Sequence, residues 1–228
     1  MSTKLWYLTH HRLLEGLPKA SLEALERTTR MIALSREEPV YLPGEMADGL
    51  YLIKKGHVRI SRLSESGRQT TLAILGPGDL FGELTLLQDV HDEVAQALGE
   101  ALVCLVPRSA FERLMLDHSG LALKVTKLVG LRLRKLHSRI EDMAFRDAAG
   151  RIARVMLDLA TEYGTPHVHG RLIGIKLSQQ DLASLTGLTR QTASETLNAW
   201  QSRGLIRMES RRWVLRDLDG IEKLARQA

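Results

Sequence analysis

The chain has 228 residues, 44% of them hydrophobic and 26% charged. That length can bury two real cores, and no run reaches the roughly 18 consecutive apolar residues a membrane helix needs. The N-terminus runs from Met1 through Trp6 into His10, His11 and Arg12 without the apolar core of a secretory signal, so a cytoplasmic protein without a membrane segment is expected. A lone cysteine, Cys104, excludes an internal disulfide, a four-thiolate iron–sulfur cluster and a zinc ribbon; its alternation with Val103 and Leu105 predicts a buried strand thiol.

The net charge of +5 is unevenly spread: residues 1–117 hold 13 Lys+Arg against 16 Asp+Glu, a net of −3, and residues 118–228 hold 19 against 11, a net of +8. A basic second half is what a domain that meets a polyanion requires.

In chain order, Leu14, Leu17, Leu22 and Leu25 around Pro18 read as short helical pieces. From Met31 the period shortens to that of strands, as in Leu50–Ile53, His57–Ser61, Thr70–Leu75 and Ala101–Val106. Glycines at 44, 56, 67, 76 and 78 punctuate them, which predicts a small antiparallel sandwich or jelly roll over residues 1–117. A short helix at Ala110–Met115 leads to a long one from Ser119 to about Phe145. Within it Ala122, Val129, Leu136 and Met143 recur every seven residues, with Val125, Leu133 and Ile140 between them, the repeat of a two-stranded seam. Leu121, Leu128 and Leu131 form another apolar face, expected to pack on the chain's own domain. Two apolar faces on one helix predict a homodimer joined through residues 118–145.

Residues 146–228 read as helix, hairpin, helix–turn–helix, hairpin, helix. Asp147 caps a helix to Tyr163, Ser178 caps one over Gln179–Thr186, Gly187 turns the chain, and Thr189 caps another to about Ser202. Leu205–Met208 and Trp213–Leu215 flank the basic turn Ser210-Arg211-Arg212, a wing. Leu182 and Ala183 face inward on the first helix; Ala193, Leu197 and Trp200 do so on the second. That leaves Arg190, Gln191, Ser194, Glu195 and Asn198 outward. Arg can bond guanine bidentately and Gln or Asn adenine, while Ser178, Thr189, Arg211 and Arg212 suit phosphates; double-stranded DNA is the expected partner.

These residues resemble the bacterial CRP/FNR regulators over nearly the whole chain. The markers are Gly-Pro-Gly-Asp-Leu-Phe-Gly-Glu-Leu at 76–84, Asp-Ala-Ala-Gly-Arg-Ile-Ala at 147–153, Leu-Ser-Gln-Gln-Asp-Leu-Ala at 177–183 and Leu-Thr-Arg-Gln-Thr-Ala-Ser at 188–194. The resemblance implies an α+β fold: a cyclic-nucleotide-binding-like β-roll at 1–117, a dimerisation helix at 118–145 and a winged helix–turn–helix at 146–228. It also implies an effector pocket at Gly82, Glu83, Leu84, Glu93, Val94, Leu136 and His137. RNA polymerase is the further partner implied, with Glu162–His167 where activating members touch it.

The chain departs from the family at that pocket. An Arg-Ser or Arg-Ala pair should follow Gly82-Glu83 by about eleven residues and neutralise the cyclic-AMP phosphate; here Asp92-Glu93-Val94 stand there, so cyclic AMP is not expected to bind. The polar pair for the adenine falls at Leu136-His137. No cofactor is expected: the cysteine quartet of the oxygen-sensing branch is absent, and His57, a strand surface residue, His91 and His137 sit in no haem motif. On the reading helix, Glu195 stands where the family's pattern differs; a carboxylate can accept from cytosine N4 or only orient Arg190 or Gln191. No nucleophile–base pair, metal spacing or phosphate loop points to an enzyme. The reading from another class is a metabolite-sensing module that acts through protein contacts.

Overall fold

The computed structural model describes residues 3–65 and 67–226, so Met1 and Ser2 of the N-terminal stretch lie outside it. The chain divides into two compact units, Met1–Gly67 with Leu72–Leu133 and Arg68–Thr71 with Arg134–Ala228. Among the described residues up to Pro107, two helices, α1 (Thr3–Thr9) and α2 (Lys19–Thr28), precede eight strands: β1 (Arg30–Leu34), β2 (Pro39–Tyr41), β3 (Gly49–Lys55), β4 (Val58–Leu63), β5 (Gln69–Leu75, whose first three residues fall in the second unit), β6 (Leu80–Phe81), β7 (Val94–Ala97) and β8 (Ala101–Pro107). They pair into two four-stranded sheets, in the orders β1-β8-β3-β6 and β2-β7-β4-β5.

The alternation of apolar residues explains the layering. Tyr51, Ile53, Phe81 and Val103 of the first sheet meet Tyr41, Ile60, Ala95 and Ala97 of the second in one core. On the opposite face of the first sheet, Leu50, Leu52, Leu80, Cys104 and Val106 meet the helices in another. That second core is completed by Leu5 and Leu8 of α1, Phe111 of α3 (Arg108–Asp117), and Leu121 and Val125 of α4 (Ser119–Phe145). Fully burying such a leucine contributes about 1.5–3 kcal/mol, so a strand with apolar residues on both sides specifies both layers. Cys104 is fully buried, and burial pushes its thiol up, partly offset by a bond to Thr29 and by Lys4 and Lys54.

The expected divisions at 117/118 and 145/146 follow element boundaries, whereas the compact units divide inside α4. The first turns of α4 are committed to the roll through Leu121 and Val125. Val125 therefore does not sit on the seam face as the heptad reading had it: its side chain packs within its own unit. Leu131, expected to pack on its own domain, is exposed; Val129, Leu133, Leu136, Ile140 and Met143 are exposed, and Ala122 is half-buried.

In the second unit, Asp147 accepts from the Gly150 amide at 2.7 Å and caps α5 (Ala148–Tyr163), which buries Ile152, Val155, Met156 and Leu159. The hairpin of β9 (Gly164–His167) and β10 (Gly170–Ile173) follows, then α6 (Gln179–Thr186), α7 (Arg190–Ser202), a hairpin of β11 (Ile206–Glu209) and β12 (Arg212–Leu215), and α8 (Leu218–Arg226). The strands form one sheet, β11-β12-β10-β9, and α8 packs on α5.

Candidate nucleic-acid interface

Local chemistry fixes both ends of the helix–turn–helix. Ser178 Oγ accepts from the Asp181 amide at 3.1 Å while Asp181 accepts from the Ser178 amide at 2.8 Å, a reciprocal capping box that opens α6. The Ser178 hydroxyl also donates to Asp181 at 2.7 Å, so it is spent on the cap. Gly187 closes α6 with φ 69°, the left-handed conformation in which a side chain is strained, and a Cβ there would stand 3.0 Å from the Met143 methyl. Thr189 Oγ1 accepts from the Thr192 amide at 3.1 Å and opens α7.

The turn places α7 against α6 through Leu182, Ala183, Ala193, Leu197 and Trp200, all buried. Arg190, Gln191, Glu195 and Asn198 are exposed, and Ser194 is half-buried beside them. Two of these are held by neighbours. Gln191 Nε2 donates to Glu195 Oε1 at 3.0 Å. Asn198 Oδ1 accepts from Gln179 Nε2 of α6 at 3.3 Å, and Asn198 Nδ2 reaches Ser194 Oγ at 3.5 Å. Gln179 belongs to the polar set, and sequence reasoning missed it because a brace between residues 19 apart has no local signature.

The wing is tied to the start of α6: Trp213 Nε1 donates to the Leu177 carbonyl at 2.9 Å, and the Leu177 amide to the Arg211 carbonyl at 3.1 Å. Its turn holds Ser210 at φ 50° and Arg211 at φ 66°, the paired left-handed geometry of a two-residue hairpin. Arg211 is exposed at the tip. Arg212 is half-buried opposite Glu209 with its Nε buried, less open to a phosphate than its neighbour.

In the first unit, Gly82 (φ 75°) passes so close to Tyr51 and the Gly49 carbonyl that a Cβ would stand 3.1 and 3.3 Å away. It leads into a short 3-10 turn, Glu83–Leu86. Glu83 is bonded by Arg132 of α4, whose guanidinium also donates to the Leu80 carbonyl, and Arg62 bonds Asp92. Burial pushes the Glu93 carboxyl up to about 6, with Asp92 and Glu83 adding to the shift and Arg62 and Arg132 opposing it. Leu84 is half-buried and Val94 is buried on β7, whereas Leu136 and His137 are exposed residues of the second unit. Arg132 was not legible beforehand: it lies 49 residues from its partner and outside any motif.

The histidines also differ from the sequence reading. His57 is a half-buried turn residue before β4, not a strand surface residue, and His91 is buried with its ring stacked 3.6 Å from that of Tyr41. Among the described residues no group of three or more His, Cys, Asp or Glu is placed to hold a metal, and no helix is long and apolar enough to cross a membrane.

Comparison with known proteins agrees with this geometry. Residues 31–118 match the model of the cyclic nucleotide-binding domain, and residues 150–224 that of the Crp-like helix-turn-helix domain. A CRP-like cAMP-activated global transcriptional regulator from Mycobacterium tuberculosis is 30% identical over 95% of this chain and 96% of its own. The transcriptional regulator LdrP of Thermus thermophilus is 32% identical over 87% of this chain and 98% of its own. A solved CRP-family transcriptional regulator from Thermus thermophilus, 31% identical, covers 86% of this chain and 97% of its own with a TM-score of 0.74. With its β-roll, long helix and winged helix–turn–helix in that order, the chain belongs to the CRP/FNR family of DNA-binding transcription regulators.

Proposed function

We propose that the chain is a homodimeric, sequence-specific regulator that reads an inverted-repeat operator with α7 and does not respond to cyclic AMP. The observation that carries this reading is the outward face of α7, where Arg190, Gln191, Ser194 and Asn198 stand together, two of them braced, beside a basic wing tip. Arg190 and Gln191 take the base-reading role, Glu195 orients Gln191, and Thr189 and Arg211 take phosphates. Val129, Leu133, Leu136, Ile140 and Met143 form the seam with a second copy. Two-fold symmetry then sets two reading helices about one DNA turn apart, roughly 34 Å.

The insensitivity to cyclic AMP rests on charge. Arg132 and Arg62 are already bonded to Glu83 and Asp92, and the phosphate of a nucleotide would add a negative charge beside Glu83, Asp92 and Glu93. The name of the mycobacterial relative states activation by cAMP; this pocket's charge argues for a different behaviour here. Action in the cytoplasm, with RNA polymerase as a partner, belongs to the same reading.

Selection of bound duplexes from a random pool, followed by fluorescence anisotropy, tests it. An inverted repeat bound more tightly than scrambled DNA by a factor on the order of 10³ is expected. Sequence-blind binding would contradict the reading and favour a module that acts through protein contacts.

A further inference from the structure

The roll carries an apolar patch that neither the reading helix nor the seam uses. Met46 and Val90 face each other across an isolated antiparallel bridge, and the segments around them are zipped by Ala47 to Asp89, His91 to Glu45 and Gly44 to His91 backbone bonds of 2.8–2.9 Å. Met46 is 70% exposed and Val90 43%; Leu42, four residues before Met46, is 41% exposed, and Leu87, three before Val90, is 82%. A single exposed apolar side chain is ordinary; here four lie on the two segments that the bridge joins.

The rim is acidic. Glu45, Asp48, Asp89 and Asp92 are all exposed around it; Arg108 pairs with Asp89 and Arg62 with Asp92, which leaves Glu45 and Asp48 as the excess. Their field reaches inward, since Asp48, Glu45 and Asp92 all act on the buried His91 ring and partly oppose the lowering that burial causes. Nucleic acid and anionic lipid are repelled by such a rim.

We propose that the surface around Met46, Leu87 and Val90 binds a second protein through a segment whose apolar side chains are flanked by lysine or arginine. The apolar centre supplies the buried contact, and the acidic rim selects and steers the basic flanks. This inference is independent of which DNA sequence the chain reads.

The test uses the full-length chain and a fluorescein-labelled helical peptide with a leucine stripe flanked by lysines, beside its counterpart with glutamate for every lysine. The wild type should bind the lysine peptide at least tenfold more tightly. The double variant Met46→Ser/Leu87→Ser should weaken binding about tenfold with unchanged melting temperature and operator affinity, because both side chains are exposed. Glu45→Gln/Asp48→Asn should weaken it and flatten its salt dependence. Equal binding of the two peptides, or no effect of either double variant, would overturn the proposal. So would loss of sedimenting mass in Met46→Ser/Leu87→Ser, which would make the patch a contact between copies, or wild-type binding to phosphatidylserine vesicles that the same double variant abolishes, which would make it a lipid-binding surface.

Discussion

The Gln191–Glu195 bond shows how a single side chain changes meaning between sequence and structure. Residue types at 190, 191, 194 and 198 predict an outward polar face on α7 because their spacing is local to one helix, and that face is exposed or half-buried. Whether Glu195 touches a base or holds a neighbour depends on its rotamer, which residue type alone does not set; in the free chain the carboxylate accepts from Gln191. Burial acts in the same way on His11, whose ring is pulled down to about 4, chiefly by burial and further by Arg12. A depressed pKa means the neutral ring's contribution is fully present above about 6.5 and is lost as pH falls through about 4, on the order of 3 kcal/mol by pH 4. Glu93, raised to about 6, runs the other way, its contribution lost as pH rises through that value. The fall in urea midpoint between pH 7 and pH 4.5 should therefore be larger for the wild type than for His11→Asn, which keeps an acceptor for the Leu13 amide. Equal falls would show that His11 is not the acid-sensitive group.

At the scale of elements, the strongly periodic parts were legible. The 2-residue alternation marked the β-roll strands, and Asp147, Ser178 and Thr189 marked three helix starts, all with the cap bonds in place. Helix α1 was not legible, because Thr3–Thr9 buries Leu5, Tyr7 and Leu8 against strands that come much later in the chain. The heptad on α4 was legible as a pattern but not in its division of labour, since Val125 serves the roll core. If the exposed stretch from Val129 to Met143 is the seam, Leu136→Asp buries a charge there at a cost of several kcal/mol. Sedimentation should then show monomers; an intact dimer would move the interface elsewhere. The wing makes a separate prediction. Ser210 and Arg211 both occupy left-handed backbone, so Arg211→Gly should raise stability by about 1 kcal/mol while weakening binding to all DNA sequences alike. Stability unchanged in thermal melts would mean the turn carries no such strain.

At the scale of the whole molecule, fold and family were readable because the markers recur in order along the chain. The effector was not, because the pocket's charge is set by partners such as Arg132 that no motif names. Cyclic AMP at millimolar concentration should leave the melting temperature and operator affinity unchanged. A ligand at 100 times its dissociation constant stabilises by about 2.7 kcal/mol, so a clear upward shift would refute the charge argument.

The claim on which the rest depends is that α7 reads bases through Arg190. Anisotropy titrations of Arg190→Ala against the selected operator and a scrambled duplex test it directly. The account predicts a loss of about 1–3 kcal/mol on the operator, confined to one symmetric guanine position, with scrambled DNA bound as before. Equal weakening on both duplexes would make Arg190 a phosphate contact and contradict the assignment of the reading face.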